Sequence, residues 1–368
     1  MAKKSRKRPD PVLLGICLLI LFVGLLILSS VSASFSYDRT GTPFYFLFHQ
    51  MIFGFLPGLL LATGVFFLPT ETLKRWSFPF LLGALVLTAM VFVPFIGGAV
   101  GGASRWIFLG PFSFQPTEAL KPAFILYLAS WLARRTDGKG GGMAQTLIPF
   151  TVIMGVIAFF LILQPDISTL GLIGIIAFFM YLSAPTPAWH TAFLAFSGIG
   201  FFFLLVKLAP YRMSRLAVFL DPQLDPLGKG YQIKQSLIGI GSGGLTGLGL
   251  GLSAQKFGFL PQPMSDSIFA VFAEEAGFLG AILLICLFLA FAWRGLYTAY
   301  RAQRTFERLT AAGITVWISA QAFINIGAMI GLIPLTGIPL PFISYGGSAL
   351  VSGLLAMGIL LNISSESG

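Results

Sequence analysis

Charge, cysteine and histidine are all scarce in this 368-residue chain, and each shortage excludes something. Only 10% of residues are charged, against about 25% in a soluble domain, while 56% are apolar. A water-soluble globule is excluded. The two cysteines, Cys17 and Cys286, both lie inside apolar runs, so neither a disulfide framework nor a thiolate metal site is expected. The two histidines, His49 and His190, share no ligand spacing with a carboxylate, which removes a structural zinc site. Strand-like alternation is not visible, so the expected class is an all-α integral membrane protein.

What is abundant fits that class. The 38 Phe and 43 Gly suit closely packed helices in a bilayer with breaks at their ends. A spanning helix takes about 20 apolar residues, and windows of that size predict ten, at 12–34, 44–68, 78–97, 116–133, 146–163, 167–183, 188–208, 267–292, 311–333 and 341–362. The chain then divides into a basic N-terminal segment (1–11), seven helices (12–208), one large outer loop (209–266), three helices (267–362) and a short tail (363–368). The first run is too long, and lacks the small-residue end, for a cleaved signal peptide.

Basic residues mark the cytoplasmic side of short loops. Lys3, Lys4, Arg6, Lys7 and Arg8, with Lys74, Arg75, Arg134, Arg135, Lys139, Arg294, Arg301, Arg304 and Arg308, place 14 of the 23 basic residues on one side. Both chain ends are therefore expected in the cytoplasm. The short outer loops carry only Arg39 and Arg105, whereas Lys207, Arg212, Arg215, Lys229, Lys234 and Lys256 lie in or beside the large outer loop. The net charge of +10 reads as a topology signal and an attraction to anionic headgroups, not as nucleic-acid binding. The basic loop calls for an anionic ligand or headgroup at the outer surface.

Charges inside spans are costly and mark function or pairing. Glu118 and Lys121 stand three apart on one helical face, either as a structural salt bridge or as a buried cation offered to a phosphate. Asp266 stands at the outer mouth of the eighth span, where a helix cap would account for it. Glu274 and Glu275, deeper in that span, need a partner, for which Lys121 or a loop arginine is available. Asp166, between two helices, reads as a cap. Gly239-Ile240-Gly241-Ser242-Gly243-Gly244 matches a dinucleotide motif in letters only, since no strand precedes it. Its glycines, with those through Gly251, suit a loop bent back on the membrane.

Several runs together resemble the SEDS family, the shape, elongation, division and sporulation proteins. They are Gly102-Ala103-Ser104-Arg105-Trp106, Phe114-Gln115-Pro116-Thr117-Glu118 with Lys121, and Leu163-Gln164-Pro165-Asp166. The outer loop adds Phe219-Leu220-Asp221-Pro222, Asp225-Pro226-Leu227-Gly228 with Tyr231-Gln232, and Leu260-Pro261 with Asp266. The last run is Thr336-Gly337-Ile338-Pro339-Leu340-Pro341-Phe342-Ile343-Ser344-Tyr345-Gly346-Gly347-Ser348. The likeness covers nearly the whole chain, and its loop wording is closer to the division branch than to the elongation branch.

The resemblance implies a peptidoglycan glycosyltransferase in the bacterial cytoplasmic membrane, polymerising lipid II, an undecaprenyl-diphosphate-linked disaccharide. It implies Asp266 as general base, Lys121 and Arg105 with Arg212 or Arg215 holding the diphosphate, and Glu118 orienting Lys121. It further places Trp106, Ser344 and Tyr345 at the substrate surface. The partners it implies are a class B penicillin-binding protein transpeptidase and other division or elongation proteins. No cofactor is required; a divalent cation is allowed but not demanded. The chain departs from the family pattern at Gln262 (usually Glu), Ser265 (Thr) and Ser267 (Phe), which leaves a catalytically inactive scaffold as one alternative; a lipid flippase or transporter is another, since ten spans with intramembrane carboxylates suit it equally.

Overall fold

The structure, a computed structural model, describes residues 8–100, 103–109, 112–136, 143–184 and 188–367. Outside it fall Lys3, Lys4, Arg6 and Lys7, Gly102 of the first family run, Lys139, residues 185–187 and the last residue of the tail. Long helices occupy all ten expected positions. They are α1 (Pro11–Thr40), α2 (Tyr45–Phe67), α3 (Thr70–Met90), α4 (Pro116–Thr136), α5 (Met143–Leu163), α6 (Ile167–Leu182), α7 (Ala188–Lys207), α10 (Ile268–Arg301), α11 (Thr305–Met329) and α12 (Gly347–Ser367). The large loop adds two shorter helices, α8 (Pro210–Leu220) and α9 (Lys229–Ser242).

Helix ends follow local chemistry. Asp10 caps α1, its carboxylate accepting from the amides of Val12 (2.9 Å) and Leu13 (3.1 Å), with Pro11 at the first helical position where no amide is missed. At the other end Gly41, at φ 71°, closes α1 by donating to Tyr37 O. Asp166 caps α6 through the Thr169 amide at 3.3 Å, as its position between two helices suggested.

Four expectations need correction. The third span begins at Thr70 rather than 78, and the basic connection at 293–310 shrinks to the residues between Arg301 and Thr305. In both cases charged residues (Glu71, Lys74, Arg75, Arg301, Glu307) lowered the apolar average, although the helix runs on past the hydrocarbon with its charges at the ends. The last span begins at Gly347, because 341–346 form an irregular turn. Strand is present: β1 (Gly97–Val100), β2 (Ala103–Leu109) and β3 (Phe112–Phe114) make a small antiparallel sheet between α3 and α4.

α11 and α12 form the middle of the bundle, each 72% buried over its apolar window against 11% for α7, which borders lipid. Close helix contact relies on small residues. A Cβ on Gly358 of α12 would lie 2.4 Å from the Ala62 carbonyl of α2. One end of the bundle gathers the basic connections, where Asp10 pairs with Arg294 at 2.6 Å and Arg304 with Glu71 at 2.9 Å. The opposite end holds the sheet, α8, α9 and Asp266.

Candidate functional site

Asp266 stands two residues ahead of α10, whose capping position is Ser267, without a side-chain cap bond. The aspartate is therefore not the helix cap. Part of its surface meets solvent while protein crowds the rest, and among the described residues no side chain bonds to or ion-pairs with its carboxylate. Burial pushes its pKa up to about 6, against the opposing pull of the Arg215 and Arg105 cations. A free carboxylate with that affinity for a proton can accept one near neutral pH.

Its backbone is held from three directions. Asn325 Nδ2 donates to Asp266 O and to Ile338 O, both at 2.8 Å. Ser344 Oγ donates to Ser265 O at 2.6 Å and accepts from the Leu340 amide at 2.8 Å. Tyr345 N donates to Met264 O at 2.8 Å. Inside the turn, the amides of Ser265 and Ser267 both donate to Gln262 O, with Gln262 at φ 53°. Ser344 and Tyr345, assigned above to the substrate surface, thus spend these groups on fixing the aspartate's turn. The Tyr345 hydroxyl meets His49 Nδ1 at 2.9 Å.

The segment between α11 and α12 walls the carboxylate. Gly337, at φ 72°, lies so close that a Cβ there would be 3.5 Å from Asp266 Oδ2. Ser168 Oγ holds the neighbouring Thr336 carbonyl at 2.6 Å.

Two arginines flank the site. Arg215, on α8, is half-buried, with Nη1 3.5 Å from Leu335 O and a buried Nε that finds no hydrogen-bond partner among the described residues. Burial and the nearby Arg105 lower its pKa, while Asp266 and Asp166 oppose that. Arg105, on β2, donates from Nε to Gln164 O at 3.1 Å, from its guanidinium to Pro165 O, and sits 3.9 Å from Asp166 Oδ1. The sheet and the α5–α6 turn thereby aim one cation and α8 the other. Trp106, the next residue on β2, lies half-buried opposite Gly98. Arg212 is used elsewhere: it donates to Leu205 O near the end of α7 at 2.6 Å and stacks on its α8 neighbour Tyr211.

Lys121 is only 1% exposed. Its ammonium meets Glu118 at 2.8 Å and Gln321 Oε1 at 3.0 Å, and lies 5.0 Å from the Trp317 ring. Gln321 in turn donates to Pro339 O at 2.9 Å. The pair therefore supports, from beneath, the segment that walls Asp266.

Glu274 and Glu275 find neither Lys121 nor a loop arginine. Glu275 pairs with Lys256 at 3.0 Å, and Glu274 accepts from Ser242, Ser253 and the amides of Ala254 and Gln255. Sequence reasoning also passed over Gln321 and Asn325, whose signal was there: two amides one turn apart on a face of an apolar helix. Among the described residues no cluster of His, Cys, Asp and Glu could hold a metal ion.

A multi-pass helical membrane protein with an unpaired carboxylate and two arginines gathered at one face is the class that fold and site define. The chain belongs to the FtsW/RodA/SpoVE family, whose model, described as "Cell cycle protein", matches residues 11–368. It is 39% identical over 366 residues to stage V sporulation protein E of Bacillus subtilis, covering 99% of each chain. It is 39% identical over 349 residues to a probable peptidoglycan glycosyltransferase FtsW of Halorhodospira halophila, covering 94% of this chain and 87% of that one. Among solved structures, a chain of a peptidoglycan synthase complex that coordinates polymerization and crosslinking superposes with a TM-score of 0.78 at 26% identity, covering 98% of each. The rod shape determining protein RodA of Thermus thermophilus superposes with a TM-score of 0.71 at 25% identity, covering 97% of this chain and 96% of that one.

Proposed function

We propose that this chain is a peptidoglycan glycosyltransferase that polymerises lipid II at the outer face of the bacterial cytoplasmic membrane, its basic end and both chain ends cytoplasmic. The observation that carries the reading is the unpaired Asp266 carboxylate, its pKa pushed up to about 6, beside two arginines. The relatives named as glycosyltransferases support it.

Asp266 takes the proton from the 4-hydroxyl of the acceptor's N-acetylglucosamine as that oxygen attacks the anomeric carbon of the donor's N-acetylmuramic acid. The bond from that carbon to the diphosphate oxygen breaks on the opposite face, so the configuration inverts. One carboxylate suffices because the diphosphate is a good leaving group. Arg105 and Arg215 hold its developing charge, a role that preorganised cations in a low-dielectric cleft perform best. Glu118 and Lys121 act beneath, keeping the 330–346 segment in place.

A penicillin-binding transpeptidase is the partner the reading calls for, since the structural neighbour comes from a complex that couples polymerization to crosslinking. The purified chain given lipid II should make glycan strands, and Asp266→Ala should stop this without loss of folded protein. Polymerisation that persists in Asp266→Ala would overturn the assignment.

A further inference from the structure

α10 is one helix by length and two by hydrogen bonding. At Gly277, φ 69° and ψ −171° fall in a region that is essentially glycine's alone. A continuous helix would aim the amides of Phe278 and Leu279 at the carbonyls of Glu274 and Glu275. They donate instead to Gly244 O (2.9 Å) and Leu245 O (3.1 Å) of the loop after α9, while the two released carbonyls accept from Leu248 N and Gly249 N, each at 3.0 Å. The fit is tight: a Cβ on Gly277 would sit 2.2 Å from Gly247 N.

The hydrogen-bond ladder of α10 is thus interrupted between the segment 268–276 and the rest of the helix. That segment carries Asp266 just ahead of one end and Glu274 with Glu275 at the other. The Glu274 carboxylate is clasped by the 242–255 stretch of the loop, as described above. Glu275 accepts from Lys256 Nζ at 3.0 Å and from Ser30 Oγ of α1 at 2.5 Å, and Lys256 also donates to Gly251 O at 2.6 Å. Lys256 and Glu275 are 4% and 2% exposed. A buried ion pair is seldom better for stability than apolar groups of the same size, so packing alone does not account for it. Its distinguishing property is direction: it ties the segment's inner end to α1 and to the loop at one point.

We propose that Lys256, acting through Glu275, is a positioning residue for glycosyl transfer that sets where the segment 268–276, and with it Asp266, stands. This rests on the reading of Asp266 as the base. From Glu275 to Ile268 the helical rise is about 10 Å, with Asp266 two residues beyond. A tilt of about 5° at the tethered end would move the carboxylate by about 1 Å, enough to cost on the order of 100-fold in rate.

The test compares wild type, Lys256→Met and the double variant Lys256→Met/Glu275→Gln by thermal unfolding and by steady-state polymerisation of lipid II across pH. Lys256→Met is expected to unfold earlier, because it strands a buried carboxylate. The double variant should recover wild-type unfolding yet keep kcat at least tenfold low, with KM changed less than threefold and the acid limb of its pH profile displaced. Recovery of wild-type kcat together with wild-type unfolding would overturn the proposal and leave the pair a packing element. If wild type itself polymerises nothing, the glycosyltransferase reading fails and this inference falls with it; a fully active double variant beside an active wild type sinks the inference alone.

Discussion

The side-chain amide of Asn325 bridges two carbonyls, those of Asp266 and Ile338, at 2.8 Å each. One residue of α11 thereby joins the candidate base to the segment that walls it. Asn325→Leu leaves both acceptors buried without that donor, a loss of about 1–3 kcal/mol in stability. Turnover on lipid II should fall at least tenfold while the protein still purifies folded. A variant with wild-type unfolding and wild-type turnover would show that the bridge is dispensable.

Activity should follow the ionisation of Asp266. With its pKa raised from 3.8 to about 6, the carboxylate accepts a proton only when ionised, so the rate should be full above that pH and decline tenfold per unit below it. A pH profile of kcat/KM with its acid limb near 4 would mean that Asp266 titrates as an ordinary carboxyl or that another group limits the rate. Replacement by Ala should remove the 10²–10⁴-fold that general bases contribute.

The same shift predicts a stability effect of opposite sense. A carboxyl whose pKa is higher folded than unfolded is least welcome when charged, so its penalty is absent below pH 3.8, grows as pH rises to about 6, and is complete above. Asp266→Asn should therefore raise the midpoint of thermal unfolding at pH 8 and leave it unchanged at pH 4. An equal rise at both values would point to packing rather than charge.

For Glu118 and Lys121, enclosed at 4% and 1% exposure, removing one partner strands a charge, at a cost of about 3–5 kcal/mol. Lys121→Met should fold poorly, and adding Glu118→Gln should restore folding. If the pair works as a support, the double variant regains a substantial part of its turnover. Full folding with turnover still below one hundredth of wild type would return Lys121 to direct contact with the diphosphate.

The ten helices were legible because apolar length is a local property, and Asp266 because the runs around it are distinctive. Asp166 was legible as a cap from its place between two helices. The break at Gly277 was not, since its hydrogen bonds are supplied by Gly244, Leu245, Leu248 and Gly249, some thirty positions earlier, and the residues around it remain apolar. The β1–β3 sheet escaped for another reason: its strands run over 3 to 7 residues, too short for alternation to stand out. The choice of Arg215 over Arg212 depends on where α8 turns them, which spacing alone leaves open.

The two ends of the bundle are fastened by different means. At the basic end, Arg304 and Glu71 meet across an exposed surface, their side chains 55% and 65% accessible, and Asp10 with Arg294 is partly open as well. Toward the Asp266 end the pairs Lys121–Glu118 and Lys256–Glu275 are shut away from water, with side chains at most 5% accessible, and hydrogen bonds supply the other fastenings around the aspartate. Dissolved salt screens the first kind and hardly reaches the second. Raising ionic strength should therefore slacken one collar of the molecule while the other keeps its grip, which gives the experimenter a way to loosen the far side of the protein without disturbing the aspartate.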